Sequence, residues 1–400
     1  MGDDSRQLCK VSASSMDKRE NNMRSGSRLP SLDGLRAVSI CMVVIGHCSE
    51  TVRPLRHSAT MMLGFVEVSR LGVSVFFVIS GFLITTLLVR EQQITQSINL
   101  KHFYIRRALR IFPGFYAYWL AALTLTLLGY IHLSHSDLIS SAVYIWNYVP
   151  RKAETWFLNH TWSLNIEEQF YLLWPLILKF SGPKRGKLAA LAVVIVAPFI
   201  RVASYFLLPS TRSRIAIMLH TRGDSLMVGA LLALVFLNEG HLRILKRLAS
   251  SWLVPVASLC FAAIDTLLTV HFQGQYLLPV GYSLQNLVIA LLIAHVVLND
   301  KTALGRTLNH PVVVHVGVIS YSLYLWQQLF LKTKNTTFTG MFPWNIMCAF
   351  LAAELSYYLL EKPFLRWRKH FSSEPDRVAP ASEDVISEPE RGCLAASASA

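Results

Sequence analysis

The chain alternates between long uncharged apolar blocks and short polar connections rich in Lys and Arg. The blocks run over 35–50, 71–89, 111–130, 139–149, 163–180, 187–208, 222–238, 251–271, 278–298, 313–331 and 343–361. Several approach the roughly 20 residues a helix needs to cross a bilayer. The fourth block, 139–149, is too short to span unaided.

Loop charge decides how the chain threads. If the fourth block crossed, the basic segments 184–187 and 241–247 would lie outside. If it does not, every strongly basic connection falls on one side: Arg28, 101–110, 184–187, 243–247, 301–306 and 366–369. The positive-inside rule selects the second arrangement. The pattern therefore predicts an all-α, polytopic integral membrane helical bundle. About ten transmembrane helices are expected, with both termini cytoplasmic. Residues 131–162 form an outer segment that dips into or lies on the membrane. The bundle is expected over 31–368. The tails, 1–30 and 369–400, hold too little apolar surface to fold and are expected to be disordered and cytoplasmic.

Composition agrees with the threading. Of 400 residues, 53% are apolar and 16% charged, against about 25% charged in an ordinary soluble domain. The net charge of +14 could suggest nucleic acid, but the basic residues sit in short segments between apolar blocks, as in cytoplasmic loops. No nucleic-acid partner is expected. The six cysteines show no CxxC or Cys/His spacing, so neither a metal site nor a disulfide framework is expected. Residues 1–30 are polar and offer no apolar stretch for a cleavable signal. No internal repeat is evident, which disfavours a transporter built from inverted repeats.

Ionisable residues inside apolar blocks are costly and mark candidate chemistry. Arg36 and His47 stand eleven residues apart on the first helix, nearly three turns, so they share a face roughly 16 Å apart along the axis. His47 falls toward the outer half and Arg36 at the inner mouth, with Asp33 as a plausible cap. Arg36 could instead snorkel and His47 could simply pack. Arg107 and Arg110 precede Pro113 and share one helical face. Paired guanidiniums suit phosphate oxygens, although inner-loop charge alone would also place them there.

Glu167 and Glu168 are adjacent acids near the outer start of a helix. They point about 100° apart, so one can face the interior while the other faces the interface. Glu168 at the depth of His47 would complete a histidine–carboxylate general-base pair; charge stabilisation of a helix N-terminus is the other account, and it suits Glu167 better. Arg222-Gly223-Asp224 is expected to hold an intrahelical or lip ion pair. Asp265 and Glu354 lie deeper with no evident partner in sequence.

These residues sit in segments that resemble the acyltransferase family 3 membrane O-acyltransferases, bacterial proteins that acylate surface and secreted sugars. The matching segments are Leu32-Asp33-Gly34-Leu35-Arg36-Ala37 with Gly46-His47, and Gly72 through Leu83 with its Ser80-Gly81-Phe82. Others are Tyr104 to Pro113, Trp162-Ser163-Leu164 with Glu167-Glu168-Gln169-Phe170-Tyr171, Arg222-Gly223-Asp224, Ser320 to Trp326, and Glu361-Lys362-Pro363. They cover about 30–368 in family order. Gln327 departs from the pattern, since many members carry His after Tyr-Leu-Trp.

The resemblance implies a multi-pass inner (plasma) membrane enzyme. It would move an acyl group, expected to be acetyl, from cytoplasmic acyl-CoA to a hydroxyl of a carbohydrate or polysaccharide acceptor. By the same resemblance His47 is catalytic with Arg36, Glu168 lies in the acidic motif, and Arg107 and Arg110 are the paired arginines of the acyl-CoA site. Acyl transfer needs a base and stabilisation of developing oxyanion charge. His47 can act as that base or carry the acyl group transiently. The other functional class is a polar-solute or proton-coupled transporter using His47 and Glu168 as a relay. A structural export subunit would use the arginines only for orientation.

Overall fold

A computed structural model describes residues 29–49, 51–52, 58–150, 156–332 and 337–371. Nearly all of the tails expected at 1–30 and 369–400 lies outside the described residues. Among the described residues every regular element is helical. The main helices are α1 (Pro30–Ser49), α2 (Ala59–Thr95), α3 (Leu100–Leu127), α4 (His135–Ala142) and α5 (Thr161–Leu207). They continue with α6 (Asp224–Phe236), α7 (Glu239–Ala249), α8 (Leu253–Phe272), α9 (Tyr282–Leu298), α10 (Pro311–Val318), α11 (Ser320–Phe330) and α12 (Trp344–Ser356).

Six of the described helices are long and apolar enough to cross a membrane, or seven if the sharply bent α6–α7 pair forms one span. One of the six covers 156–207 and contains two predicted blocks. Gly182 interrupts it with φ 71°, a conformation open to glycine because it has no Cβ. The break falls in the basic connection expected between those blocks. The fourth block forms no span. Its helix α4 has 8 residues, about 12 Å of rise, followed by a single 3₁₀ turn at Trp146–Tyr148.

The exterior is apolar. Phe180, Phe199, Phe206, Leu207 and Leu127 all stand largely exposed, as lipid-facing side chains do. Polar groups lie inside. Arg201 and Asp224 form an ion pair at 2.8 Å with both side chains fully buried. The pair expected within Arg222-Gly223-Asp224 is therefore replaced. Arg222 ends a short helix before Gly223 and Asp224 begins α6 after it; Asp224 meets α5, while Arg222 lies 3.8 Å from the Tyr282 ring centre and donates to Ser74 at 2.9 Å. Asp265 accepts from Tyr276 at 2.8 Å and Gln285 at 2.5 Å. Glu354 meets His315 at 2.6 Å. Both deep acids thus have partners that only the fold supplies.

Helix α2 is the centre of the packing and touches α1, α6, α5, α8 and α9. Its crossing with α6 is backbone on backbone. A Cβ at Gly81 would lie 1.9 Å from the Leu226 carbonyl oxygen, and one at Gly229 would lie 2.0 Å from that of Val78. Small residues allow such close crossings, which supply the van der Waals contact that drives association in lipid.

Candidate active site

A cavity of about 510 Å³ opens between α1, α2, α3, α5 and α11. Three of its guanidiniums are those singled out in sequence: Arg36 on α1, and Arg107 and Arg110 on α3. Arg368, at the start of a 3₁₀ turn (Arg368–Phe371), and Arg90 near the end of α2 join them. The opposite wall is the apolar face of α2, with Val73, Phe76, Ile79 and Leu83. Charge at one end and hydrocarbon along the side suit a ligand that is anionic at one end and apolar along its length.

Each arginine is held differently. Arg36 lies 3.7 Å from Asp33, one turn before it. Arg107 stacks near the rings of Phe103 and Tyr171, at 5.7 and 5.6 Å, and its buried Nε has no hydrogen-bond partner. Arg368 is pushed down to about 10 by burial and by the charges of Arg110 and Arg106. It stays charged at neutral pH, and the cluster gains by binding an anion. Arg106 is different: it pairs with Glu91 at 2.9 Å and donates to the Phe371 carbonyl at 2.8 Å. Its guanidinium ties α2 and α3 to the 3₁₀ turn at Arg368–Phe371.

The carboxylates at the cavity are Asp33, Glu167 and Glu361. Glu361 ends a π turn after α12 and accepts from Ser322. Glu168, next to Glu167 in the chain, lies within electrostatic reach of Arg107. It lies within electrostatic reach of Tyr144, whose hydroxyl is pushed up by burial and by Glu168, and it does not line the cavity. Of the two adjacent acids, the cavity therefore holds Glu167.

His47 lies beyond the cavity toward the end of α1. Its Nδ1 is 3.0 Å from Oε1 of Gln327, and its ring meets Trp156 edge-on at 5.5 Å. His160 lies within electrostatic reach of His47 and packs beside Tyr324. The Tyr324 hydroxyl bonds Ser163 at 2.6 Å and donates to the His160 carbonyl at 3.0 Å. The His160 ring is buried and packs on Tyr118 and Tyr324. Tyr324 and Ser163 line the cavity, so Tyr324 links its wall to His160.

Thus Arg36, Arg107 and Arg110 are brought together around one cavity, while His47 and Glu168 lie outside its lining. Sequence reasoning did not single out Glu167 as the cavity acid, nor His160, Glu361 or Arg368. Among the described residues no group of three or more His, Cys, Asp or Glu side chains is placed to hold a metal ion.

The sequence profile described as "Acyltransferase domain" matches residues 29–361, a range that contains every cavity residue except Leu365 and Arg368. The chain belongs to this acyltransferase family. It is 30% identical over 386 residues to a protein of Staphylococcus aureus strain COL named "Putative O-acetyltransferase", covering 88% of this chain and 61% of the relative. It is 29% identical over 371 residues to the O-acetyltransferase OatA of strain NCTC 8325, covering 86% and 58%. The chain therefore spans about three-fifths of the length of these curated relatives. No solved structure matches it. Family membership and the apolar helices together make this acyltransferase-family chain a membrane protein.

Proposed function

We propose that the chain is a membrane O-acyltransferase that moves an acetyl group from cytoplasmic acyl-CoA to a hydroxyl of a sugar or polysaccharide. The observation that carries this reading is the cavity in which Arg36, Arg107, Arg110 and Arg368 face an apolar wall. Arginine forks match phosphate oxygens, and the wall suits the pantetheine arm and its acyl end. The relatives' names supply O-acetyl transfer as the chemistry. The threading that goes with it has ten spans, both termini cytoplasmic and the bundle in the inner membrane.

In this reading the arginines hold the CoA phosphates at the inner face. The roughly 16 Å rise between Arg36 and His47 is a gap that the extended pantetheine arm covers. His47 removes the proton of the acceptor hydroxyl. The oxygen attacks the thioester carbonyl, the C–O bond forms and the C–S bond breaks. The CoA thiolate leaves with the proton that His47 had taken, giving an ester and free CoA. Glu167, beside Arg36 and Arg107, balances charge in the cavity.

Purified protein supplied with radiolabelled acetyl-CoA and an acceptor glycan tests the proposal. Label should move to the glycan and CoA thiol should appear in equal amount. Unchanged acetyl-CoA across a panel of acceptors, with no thiol release, overturns it.

A further inference from the structure

A general base needs its lone pair on the nitrogen that faces the substrate, and a neutral imidazole carries one proton on either of two nitrogens. Hydrogen-bond partners decide which. At His47 the partner of Nδ1 is a side-chain amide, Gln327, which can present either an oxygen or an NH₂ group. By itself it fixes nothing.

The amide is oriented from behind. The backbone carbonyl of Trp156 can only accept, and the side-chain nitrogen of Gln328 donates to it at 2.7 Å. That places Gln328 Oε1 toward its neighbour, where it accepts from Gln327 Nε2 at 3.3 Å. Gln327 Oε1 is then left facing His47 Nδ1 at 3.0 Å. An oxygen there requires the proton on Nδ1, so the lone pair is on Nε2. Both glutamines are fully buried, so no solvent is available to reorient either amide. A second bond, from Trp156 Nε1 to the Gln328 carbonyl at 2.9 Å, clamps the far end of the chain.

From this relay we infer that Gln327 and Gln328 are positioning residues that hold His47 in the Nδ1–H tautomer, with Nε2 ready to accept the acceptor's proton. The information starts at a backbone carbonyl and passes through two amides. Histidine at position 327 could not repeat it unaided, because its own tautomer would then need fixing. The catalytic meaning of the lock rests on the acyl-transfer role of His47; the tautomer itself does not.

Two measurements separate these levels. Nitrogen-15 spectra of ¹⁵N-histidine protein, with His47 assigned by comparison with His47→Gln, read the tautomer directly. The wild-type protein should show His47 protonated on Nδ1. A wild-type His47 protonated on Nε2 overturns the inference without any variant being needed. The second measurement is kinetic. Gln328→Leu touches no atom of His47 but frees Gln327 to turn over. It should mix the tautomers and lower kcat roughly 10- to 1000-fold, within the range of general-base contributions, with KM for acetyl-CoA unchanged.

Gln327→Glu offers an acceptor oxygen whichever way it sits. In the Gln327→Glu/Gln328→Leu double variant the Nδ1–H signal and most of kcat should therefore return. A folded Gln328→Leu protein with wild-type tautomer and kcat overturns the relay, as does a double variant no better than Gln328→Leu alone. If acetyl transfer is absent from the wild-type protein while His47 is held as Nδ1–H, the functional reading fails and the lock stands.

Discussion

Arg201 of α5 and Asp224 of α6 meet at 2.8 Å with neither side chain exposed. The guanidinium also donates to the Thr221 and Leu278 carbonyls and to Ser283, at 3.0, 2.7 and 2.7 Å. Four chain segments thus converge on one charge. Removing one partner of such a pair strands the other without solvent. Arg201→Leu should cost about 3–5 kcal/mol, read as a lower melting temperature in detergent. Arg201→Leu/Asp224→Leu should recover part of that loss. An unchanged melting temperature in the single variant would show that the pair contributes nothing.

His47→Ala should leave the protein folded and inserted while abolishing acetyl transfer. The imidazole lies near the helix end, and Trp156 and Gln328 hold each other without it. Purified variant with near-wild-type turnover would remove His47 from the chemistry.

The inner arginines should separate by function. Losing the Arg110 guanidinium should remove a charge-assisted contact of about 1.5–3 kcal/mol, roughly ten- to a hundredfold in donor affinity. Arg110→Lys should restore only part, because a fork becomes a point charge. Arg107→Ala should weaken the donor too, and also lose its contacts with Phe103 and Tyr171. Arg106→Ala should instead lower stability with donor affinity kept, since its partners are Glu91 and Phe371. Titration of acetyl-CoA against the three variants checks this; equal donor affinity in all of them would return the charges to topology alone.

The adjacent acids give a sharper comparison. Glu167→Gln removes the carboxylate from the cavity wall and should lower kcat at least tenfold, in line with loss of a charged catalytic contact. Glu168→Gln, on the Tyr144 side, should retain most activity. The reverse ranking in initial-rate measurements would move the working carboxylate to 168.

Threading can be read by labelling. With both halves of α5 as spans, a cysteine placed at Lys184 faces the cytoplasm. An impermeant maleimide should miss it in intact cells and reach it after permeabilisation. Labelling from outside would remove the ten-helix arrangement.

Sequence carried the helical architecture and the break between 180 and 187, because lipid demands long apolar blocks and Gly182 supplies the turn. It also marked Arg36, Arg107 and Arg110, since a charge in an apolar block stands out by its cost. What it could not give was rotation. Glu167 and Glu168 differ by about 100°, and only the packing of α5 decides which one faces the cavity. Asp224 found its partner 23 residues back in the chain, not two. Arg368 enters the site because the chain returns past α12 to lie against α3. Gln327 carried the weakest signal of all. A neutral amide in a helix costs little enough to pass as packing, and its orientation depends on Gln328 and on a carbonyl 172 residues from Gln328 in the chain.

The crossing at Gly81 and Gly229 makes α2 a partition one helix thick. On one side its backbone rests directly on α6; on the other its side chains, from Val73 to Leu87, face the cavity. A partition already seated against its support has no slack. A methyl added at position 81 or 229 has no gap to occupy and must displace the whole panel toward the cavity. The width of that chamber is therefore set by two residues that never touch its contents, and either could be used to narrow it without altering a single side chain that lines it.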